Sequence, residues 1–441
     1  MAIATKGKDV LAKFFDEGAY TTLFADSAVK AAFGSANGQP VYAVCQTGAA
    51  VAAKDVQKAV KVLDMAAKTG NPVVTFYNSN GALLTEGLAA LTASASLSAA
   101  VARLSGVVPQ IAVVTGVCGA GSALAAAAAD ICIMSKEGEL FLTSPFTSAA
   151  NGDKLANAGS AEFAAKAGVA SIVVEDAQAA AVKAAEIIGV LPANNLTGPA
   201  VFEATAPKGS YTLSKYDAKA AADTVIDADS NIELYEGTGK NIYTALATVA
   251  GSVVGVVATS DEGICHTCAS KAARFVRLCD AFGIPVITII NTDGFAKSSS
   301  EDAAGGLRVA ARLAGTYADA TTAKLAVITG KAVGTAYTAL ANADFTIAVN
   351  GCTIAPVEPA TAAAILYKDE LDAGTGIAAD TAKKAADYAA NVCSAAAALE
   401  AGVADFAVSP EQLRGTVVAA LDMLSTKRDQ RLPKKHGNMS L

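Results

Sequence analysis

Five glycines are the residues best placed to do chemistry in this chain. Gly116, Gly119 and Gly121 in one stretch, and Gly330 and Gly334 in another, sit between an apolar strand-like run and a run of small residues that reads as a helix. A strand that ends in glycines and opens a helix turns unshielded backbone N–H groups outward at the positive helix end, which stabilises a developing oxyanion without any ionisable residue. The aligned positions are Ala120 and Gly121 in the first stretch and Gly334 and Thr335 in the second, all open to close approach. The plainer reading is that small residues merely let helix and strand pack tightly. An Asn-x-x-Gly loop accompanies each turn, Asn78 to Gly81 and Asn291 to Gly294, and that repeated neighbour favours function.

Other chemistries are poorly supplied. The chain has two histidines, His266 and His436, and no GxSxG elbow, which argues against a Ser-His-Asp hydrolase. His436 lies in a basic tail, Lys427 to His436, that reads as solvated or partner-facing. No Walker loop is present, and Gly116-x-x-Gly119-x-Gly121 is not the spacing of a dinucleotide fingerprint. Cys265-His266-Thr267-Cys268 precedes a helical pattern, the setting of a redox pair or of half a zinc site. There is no second CxxC to complete a zinc site and no trailing histidine for haem attachment, so the expectation is a reduced pair in a local loop, with no metal.

These turns need elements to hold them, and the chain supplies the same set twice at an offset of about 213 residues. Gly70-x-Pro72-Val73-x-Thr75-x-x-Asn78-x-x-Gly81 returns as Gly283-x-Pro285-Val286-x-Thr288-x-x-Asn291-x-x-Gly294. Ile111 to Ile133 returns as Leu325 to Ile347. Ala167-Gly168-Val169-Ala170 returns as Ala401-Gly402-Val403-Ala404, so the second copy carries about twenty extra residues before its end. In the first copy, strands are expected at Val41 to Gln46, Val73 to Tyr77 and Gln110 to Thr115, with a turn over Gly116 to Gly121. Helices are expected at Asp55 to Lys68, Glu86 to Leu104 and Ser122 to Ala129. The second copy repeats the order with strands at Val253 to Thr259, Val286 to Ile290 and Leu325 to Thr329, and helices at Ala269 to Phe282 and around Leu307 to Tyr317. Alternating strand and helix predicts an α/β fold with largely parallel sheets covered on both faces.

At 441 residues the chain has room for two cores. We expect domains at 1–195 and 231–441, joined by a linker over 196–230 that opens in the Pro-, Gly- and Asn-rich run Leu191 to Pro199. A net charge of -7 argues against a nucleic-acid surface. Leu104 to Ala129 is uncharged, yet its hydropathy rests on alanine and it contains Pro109 and four glycines, so no membrane span is expected there. Irregularly spaced cysteines and the absence of a signal peptide suggest a reducing cytoplasm.

Several longer stretches resemble the carboxyltransferase family of biotin-dependent acyl-CoA carboxylases and decarboxylases. They are Phe15 to Tyr20, Lys61 to Ala66, Gly106 to Ile111, Leu191 to Asn195, Gly239 to Asn241, Lys271 to Phe282 and Lys434 to Asn438, which span nearly the whole chain in family order. The resemblance implies two tandem crotonase-like (ClpP/crotonase) domains. It implies that the first half binds an acyl-CoA, with Ser79, Gly81 and Ala82 shaping the CoA side and the turn at Ala120 and Gly121 holding the thioester oxygen of an enolate. The second half would receive biotin from a separate carrier protein, with Gly294, Phe295, Gly334 and Thr335 around the ureido oxygen. No protein acid or base is then needed, because biotin itself supplies the base. A homo-oligomer with sites at the subunit interface is implied, together with a biotin carboxylase subunit or membrane decarboxylase subunits as partners.

Departures from the family pattern mark both sites. Ser79 to Gly87 carries Leu83 where the family has arginine, and the oxyanion pairs read Ala120-Gly121 and Gly334-Thr335 in place of glycine-rich pairs. Asn291 to Phe295 carries Asp293 where the family has proline, and Ile354 to Glu358 replaces a Met-Gly-Pro-Glu-Gly stretch. The expected activity is carboxyl transfer between biotin and the α-carbon of a small acyl-CoA, in either direction. The competing reading is a non-catalytic scaffold of the same fold. A single-domain-type hydratase is disfavoured because only Glu86 lies near a candidate turn.

Overall fold

The structure, a computed structural model, describes residues 10–153, 155, 157–209, 217–372, 377–431 and 433. The basic signature Lys434 to Asn438, with His436, lies outside the described residues. Two compact units divide the chain between Ala200 and Val201, with Leu234–Thr238 belonging to the first unit. The stretch 196–230 is therefore no bare connector. It carries a helix, Ala218–Asp223, whose Ala218, Ala221 and Ala222 are buried in the core of the second unit. Within the first unit, the Asn194 side chain donates to the Gly70 carbonyl at 2.8 Å and Asn195 N–H donates to Val107 at 3.1 Å, so the end of that unit is pinned to its own core.

The first unit is built on strands β1 (Tyr20–Leu23), β2 (Val29–Ala36), β3 (Gln39–Gln46), β4 (Val73–Tyr77), β5 (Gln110–Val114), β6 (Val117–Gly119), β7 (Ile131–Ser135), β8 (Glu139–Phe141) and β9 (Ile172–Val174). Seven of them form one sheet in the order β1-β2-β3-β4-β5-β7-β9, while β6 and β8 pair separately. From β3 onward the pairing is parallel, and β4, β5 and β7 are mostly apolar and largely buried because both faces are covered. The first three strands are antiparallel, so the sheet is mixed where alternation alone predicted parallel pairing. Three helices frame the loops at the sheet's edge: α1 (Ala53–Thr69), α2 (Leu88–Leu104) and α3 (Ala120–Ala128). On α1, Val62 and Ala66 are fully buried while Lys58 lies at the rim, as the 3.6-residue pattern predicts. Its end is set by Gly70, which takes the left-handed conformation at φ 67°.

The second unit repeats this plan with β10 (Ile232–Glu233), β11 (Ile242–Val249), β12 (Ser252–Thr259), β13 (Val286–Thr292), β14 (Lys324–Val333), β15 (Phe345–Val349), β16 (Thr353–Ala355) and β17 (Phe406–Val408). Its sheet runs β10-β11-β12-β13-β14-β15-β17, antiparallel in the first three strands and parallel afterwards. Helices α4 (His266–Ala281), α5 (Gly306–Asp319) and α6 (Thr335–Leu340) stand where α1, α2 and α3 stand in the first unit. The registers match pair for pair. Tyr42 lies opposite Val73 and Gly255 opposite Val286, each partner displaced by 213 residues. The last strands, which begin at Ile172 and Phe406, are 234 residues apart, so the extra length enters before β17, where the second unit carries the helices Pro359–Leu366 and Ile377–Val392.

Candidate functional site

In the first unit the chain leaves β4 at Tyr77 and forms the loop Asn78 to Leu83. Val51 straps this loop: its N–H donates to the Gly81 carbonyl at 2.9 Å, and Leu83 N–H donates back to the Val51 carbonyl at 2.9 Å. Ala82 lies between those bonds, opposite Val51 in a parallel bridge, and so turns its own N–H and C=O to the other side. Ser79 is buried; its N–H donates to Val117 at 2.9 Å, and its hydroxyl accepts from Gly81 N–H at 3.4 Å. Gly81 sits at φ 91°, a conformation that a side chain would strain.

The turn beside it is tighter than the sequence suggests, because Val117–Gly119 forms β6 rather than open turn. Ala120 then takes φ 51°, the left-handed region, and opens α3 with no side-chain cap. The first N–H groups of a helix have no partner within it, so the start of α3 presents donors outward. Ala82, Ala120 and Gly121 all line one cavity of about 310 Å³, whose apolar wall includes Val44, Leu63, Tyr77 and Leu97. Among the described residues lining it there is no carboxylate, imidazole, amine or guanidinium. Burial drives the Tyr77 phenol far above its ordinary pKa, which removes it as an acid or base. Glu86, the carboxylate that the sequence places near the turn, is occupied elsewhere: its Oε2 accepts from Ala53 N–H at 2.6 Å at the start of α1.

The second unit reproduces the strap. Ile264 N–H donates to the Gly294 carbonyl and Ala296 N–H donates to the Ile264 carbonyl, both at 2.9 Å, so Phe295 occupies the place of Ala82. Gly294 sits at φ 120° and donates to Thr292 Oγ1 at 3.3 Å. Gly334, at φ 58°, matches the left-handed Ala120. Its N–H is committed to the Ala355 carbonyl at 2.9 Å as the next rung of the pairing between β14 and β16, which corrects its expected role as a donor. Thr335 follows, exposed, at the first position of α6, where a helix N–H has no partner within the helix.

Two further features are not legible in the sequence. A Cβ placed on Gly116 would lie 2.2 Å from Asn78 Oδ1, and one on Gly330 would lie 2.1 Å from Asn291 Oδ1. These two glycines therefore recur for packing, as seats for the loop asparagines. The second unit also assembles an ionic trio from three separate segments. Lys331 Nζ lies 2.7 Å from Asp293 Oδ1 and 4.0 Å from Glu358 Oε1. The bond from Lys331 holds the Asp293 carboxyl below the usual range, and the same bond raises the Lys331 ammonium. At the equivalent places in the first unit stand the uncharged Asn80, Val117 and Ser144, all on the cavity wall.

A carboxyl transferase domain matches residues 8–439. The chain belongs to the carboxyl transferase family. Within it, the methylmalonyl-CoA carboxyltransferase 12S subunit of Propionibacterium freudenreichii subsp. shermanii is 31% identical, over 96% of this chain and 88% of that protein. The propionyl-CoA carboxylase beta chain of Saccharopolyspora erythraea is 32% identical, over 87% of this chain and 77% of that one. The crystal structure of transcarboxylase 12S, a hexamer solved with methylmalonyl-coenzyme A and methylmalonic acid bound, superposes with a TM-score of 0.94 at 27% identity, over 100% of this chain and 95% of that one. The family fold thus accounts for the duplicated α/β units and for the resemblance seen in the sequence. The Cys265–Cys268 pair is the feature it does not account for. These two residues form a disulfide, which corrects the expectation of a reduced pair. Among the described residues no helix is long and apolar enough to cross a membrane.

Proposed function

We propose that this chain is the carboxyltransferase subunit of a biotin-dependent acyl-CoA system, acting on a small acyl-CoA of the propionyl and methylmalonyl type. What carries the reading is the first cavity: two backbone segments, at Ala82 and at the start of α3, open into one apolar space with no charged side chain on its wall. That is the arrangement an enolate needs. Neutral donors stabilise the thioester oxygen as charge builds on it, and the dry wall strengthens them by lowering the local dielectric. Each hole takes one donor from the strapped loop and one from the helix start: Ala82 with Gly121 on the acyl-CoA side, Phe295 with Thr335 on the biotin side. Ser79 and Gly81 fix the first loop, and Gly294 fixes the second.

Carrier-bound biotin would supply the carboxyl group and the base. The second unit would offer such a neutral polar group the backbone N–H of Thr335, an exposed residue at the first position of α6, while Gly334 holds the turn. Nothing in either hole prefers one direction of transfer, so the chain serves carboxylation or decarboxylation according to its partners: a biotinylated carrier, and a biotin carboxylase or membrane decarboxylase subunit. A homo-oligomer completes the reading.

The test is to incubate the purified chain with methylmalonyl-CoA and free biotin and follow propionyl-CoA by chromatography. Biotin-dependent appearance of propionyl-CoA is expected. Absence of transfer across a panel of acyl-CoAs, together with no CoA binding by calorimetry, overturns the enzymatic reading and leaves the scaffold.

A further inference from the structure

Cys265 caps the 16-residue helix α4, and its sulfur accepts from Cys268 N–H at 3.2 Å with the Thr267 hydroxyl 3.0 Å away. The two sulfurs are bonded to each other. Their exposure is unequal: Cys265 is half-buried, whereas Cys268 is fully buried. A Cβ on Gly239 would lie 3.0 Å from Cys268 Cα and 3.1 Å from the Thr267 carbonyl, so the loop at Gly239 closes the Cys268 side of the pair against incoming reagents. His266 is held away from the sulfurs by Glu301, whose Oε2 accepts from the His266 backbone N–H at 2.7 Å and lies 2.8 Å from its Nδ1. The six remaining cysteines are buried and outside any disulfide. Burial pushes the thiols of Cys45 and Cys393 upward, which keeps such residues inert.

We propose that Cys265-His266-Thr267-Cys268 is a reversible thiol–disulfide exchange site for an external dithiol, with Cys265 as the sulfur that is attacked and that attacks. One thiolate of the reagent attacks Cys265 Sγ; the bond to Cys268 breaks and Cys268 leaves as a thiolate that takes a proton. The second thiol of the reagent then attacks the reagent's own sulfur in the mixed disulfide, closing it to a cyclic disulfide and releasing Cys265. Two electrons and two protons pass from the dithiol to the protein. The geometry favours this order, because the half-buried sulfur is the one within reach. A Cys265 thiolate is held by the Cys268 N–H, the Thr267 hydroxyl and the positive end of α4. Ile264, the residue before the pair, is bonded to Gly294 and Ala296, which places the exchange next to the loop of the second site. This chemistry is independent of carboxyl transfer.

The full-length chain is equilibrated with mixtures of reduced and oxidised dithiothreitol, then alkylated in the native state and mapped by mass spectrometry. Cys265 is expected to pass from unmodified to alkylated as the mixture becomes reducing, and to return on reoxidation, while Cys268 and the six other buried cysteines stay unlabelled. In a second arm, Cys268→Ser and Cys265→Ser are treated with an aromatic disulfide reagent. Cys268→Ser is expected to form a mixed disulfide at Cys265 about tenfold or more faster than Cys265→Ser forms one at Cys268. Full alkylation of Cys265 even in oxidised dithiothreitol, or none in the reduced reagent, overturns the proposal. So does equal reactivity of the two variants. If a variant fails to fold, the titration of the unaltered chain still decides.

Discussion

Replacing Gly121 by proline deletes one N–H at the second position of α3, the donor assigned to the thioester oxygen. The substitution also adds bulk, and the structure lets the two effects be separated. A Cβ on Gly121 would lie 3.0 Å from Ser94 Cβ and 3.2 Å from its Oγ, a contact that α2 must yield to by a few tenths of an ångström. Gly121→Ala adds the same Cβ and keeps the N–H, so it carries the steric cost alone. Proline is tolerated in the first turn of a helix, where its missing N–H has no intrahelical partner. Loss of one oxyanion donor costs about 3 kcal/mol, or on the order of 100-fold in kcat. In the methylmalonyl-CoA to biotin assay, Gly121→Pro is therefore expected to fall on the order of 100-fold below Gly121→Ala, with circular dichroism showing both variants folded. Equal kcat for folded proline and alanine variants would refute the assignment of the Gly121 N–H to the reacting oxygen.

Three other substitutions have expected outcomes. Ala120→Gly relieves a left-handed alanine at a position where the second unit uses Gly334; the conformational relief of about 1–2 kcal/mol exceeds glycine's extra folding entropy, so a higher urea midpoint is expected. Lys331→Met leaves Asp293 and Glu358 without their cation at the second site; KM for biotin should rise while KM for the CoA ester, measured in the same assay, stays unchanged. Asp227 is buried: desolvation pushes its carboxyl up, but bonds from Thr248, Gly251, Arg414 and Ala250 outweigh it and hold the pKa below the usual carboxylate range. A depressed carboxylate stabilises the fold above its unfolded pKa, and that stability is lost as pH falls through the folded value. Asp227→Asn should therefore be less stable than the parent at neutral pH by about 3 kcal/mol, and urea titrations at successively lower pH should show the gap closing below the unfolded pKa.

The repeat made most of this architecture legible. Once Val73 to Gly81 is matched to Val286 to Gly294, the strands, the helices between them and the paired turns follow, because period and glycine placement are local properties. What stayed hidden depends on contacts between distant segments. Nothing near position 51 announces that Val51 straps the loop at Ala82, or that Ile264 does the same for Phe295. Gly334 reads as a donor in the sequence, whereas the strand Thr353–Ala355 claims its N–H. Gly116 and Gly330 read only as part of the glycine turns, whereas each makes room for an asparagine from the preceding strand end. The trio Asp293, Lys331 and Glu358 is spread over three segments and forms only when the sheet brings their ends together.

The shared hydrogen-bonded frame of the two units also bears on how such a chain can change over time. In an assembly of identical single-unit subunits, every substitution at a turn appears at all sites at once, so a change that helps one ligand is imposed on the other. Joining two copies in one polypeptide removes that tie. Asn80, Val117 and Ser144 leave one pocket uncharged, while their counterparts in the other copy are Asp293, Lys331 and Glu358. Meanwhile the straps at Val51 and Ile264 have kept the same bonds. Selection can then act on either pocket wall separately, because the parts that position the backbone are inherited apart from the parts that meet the ligand.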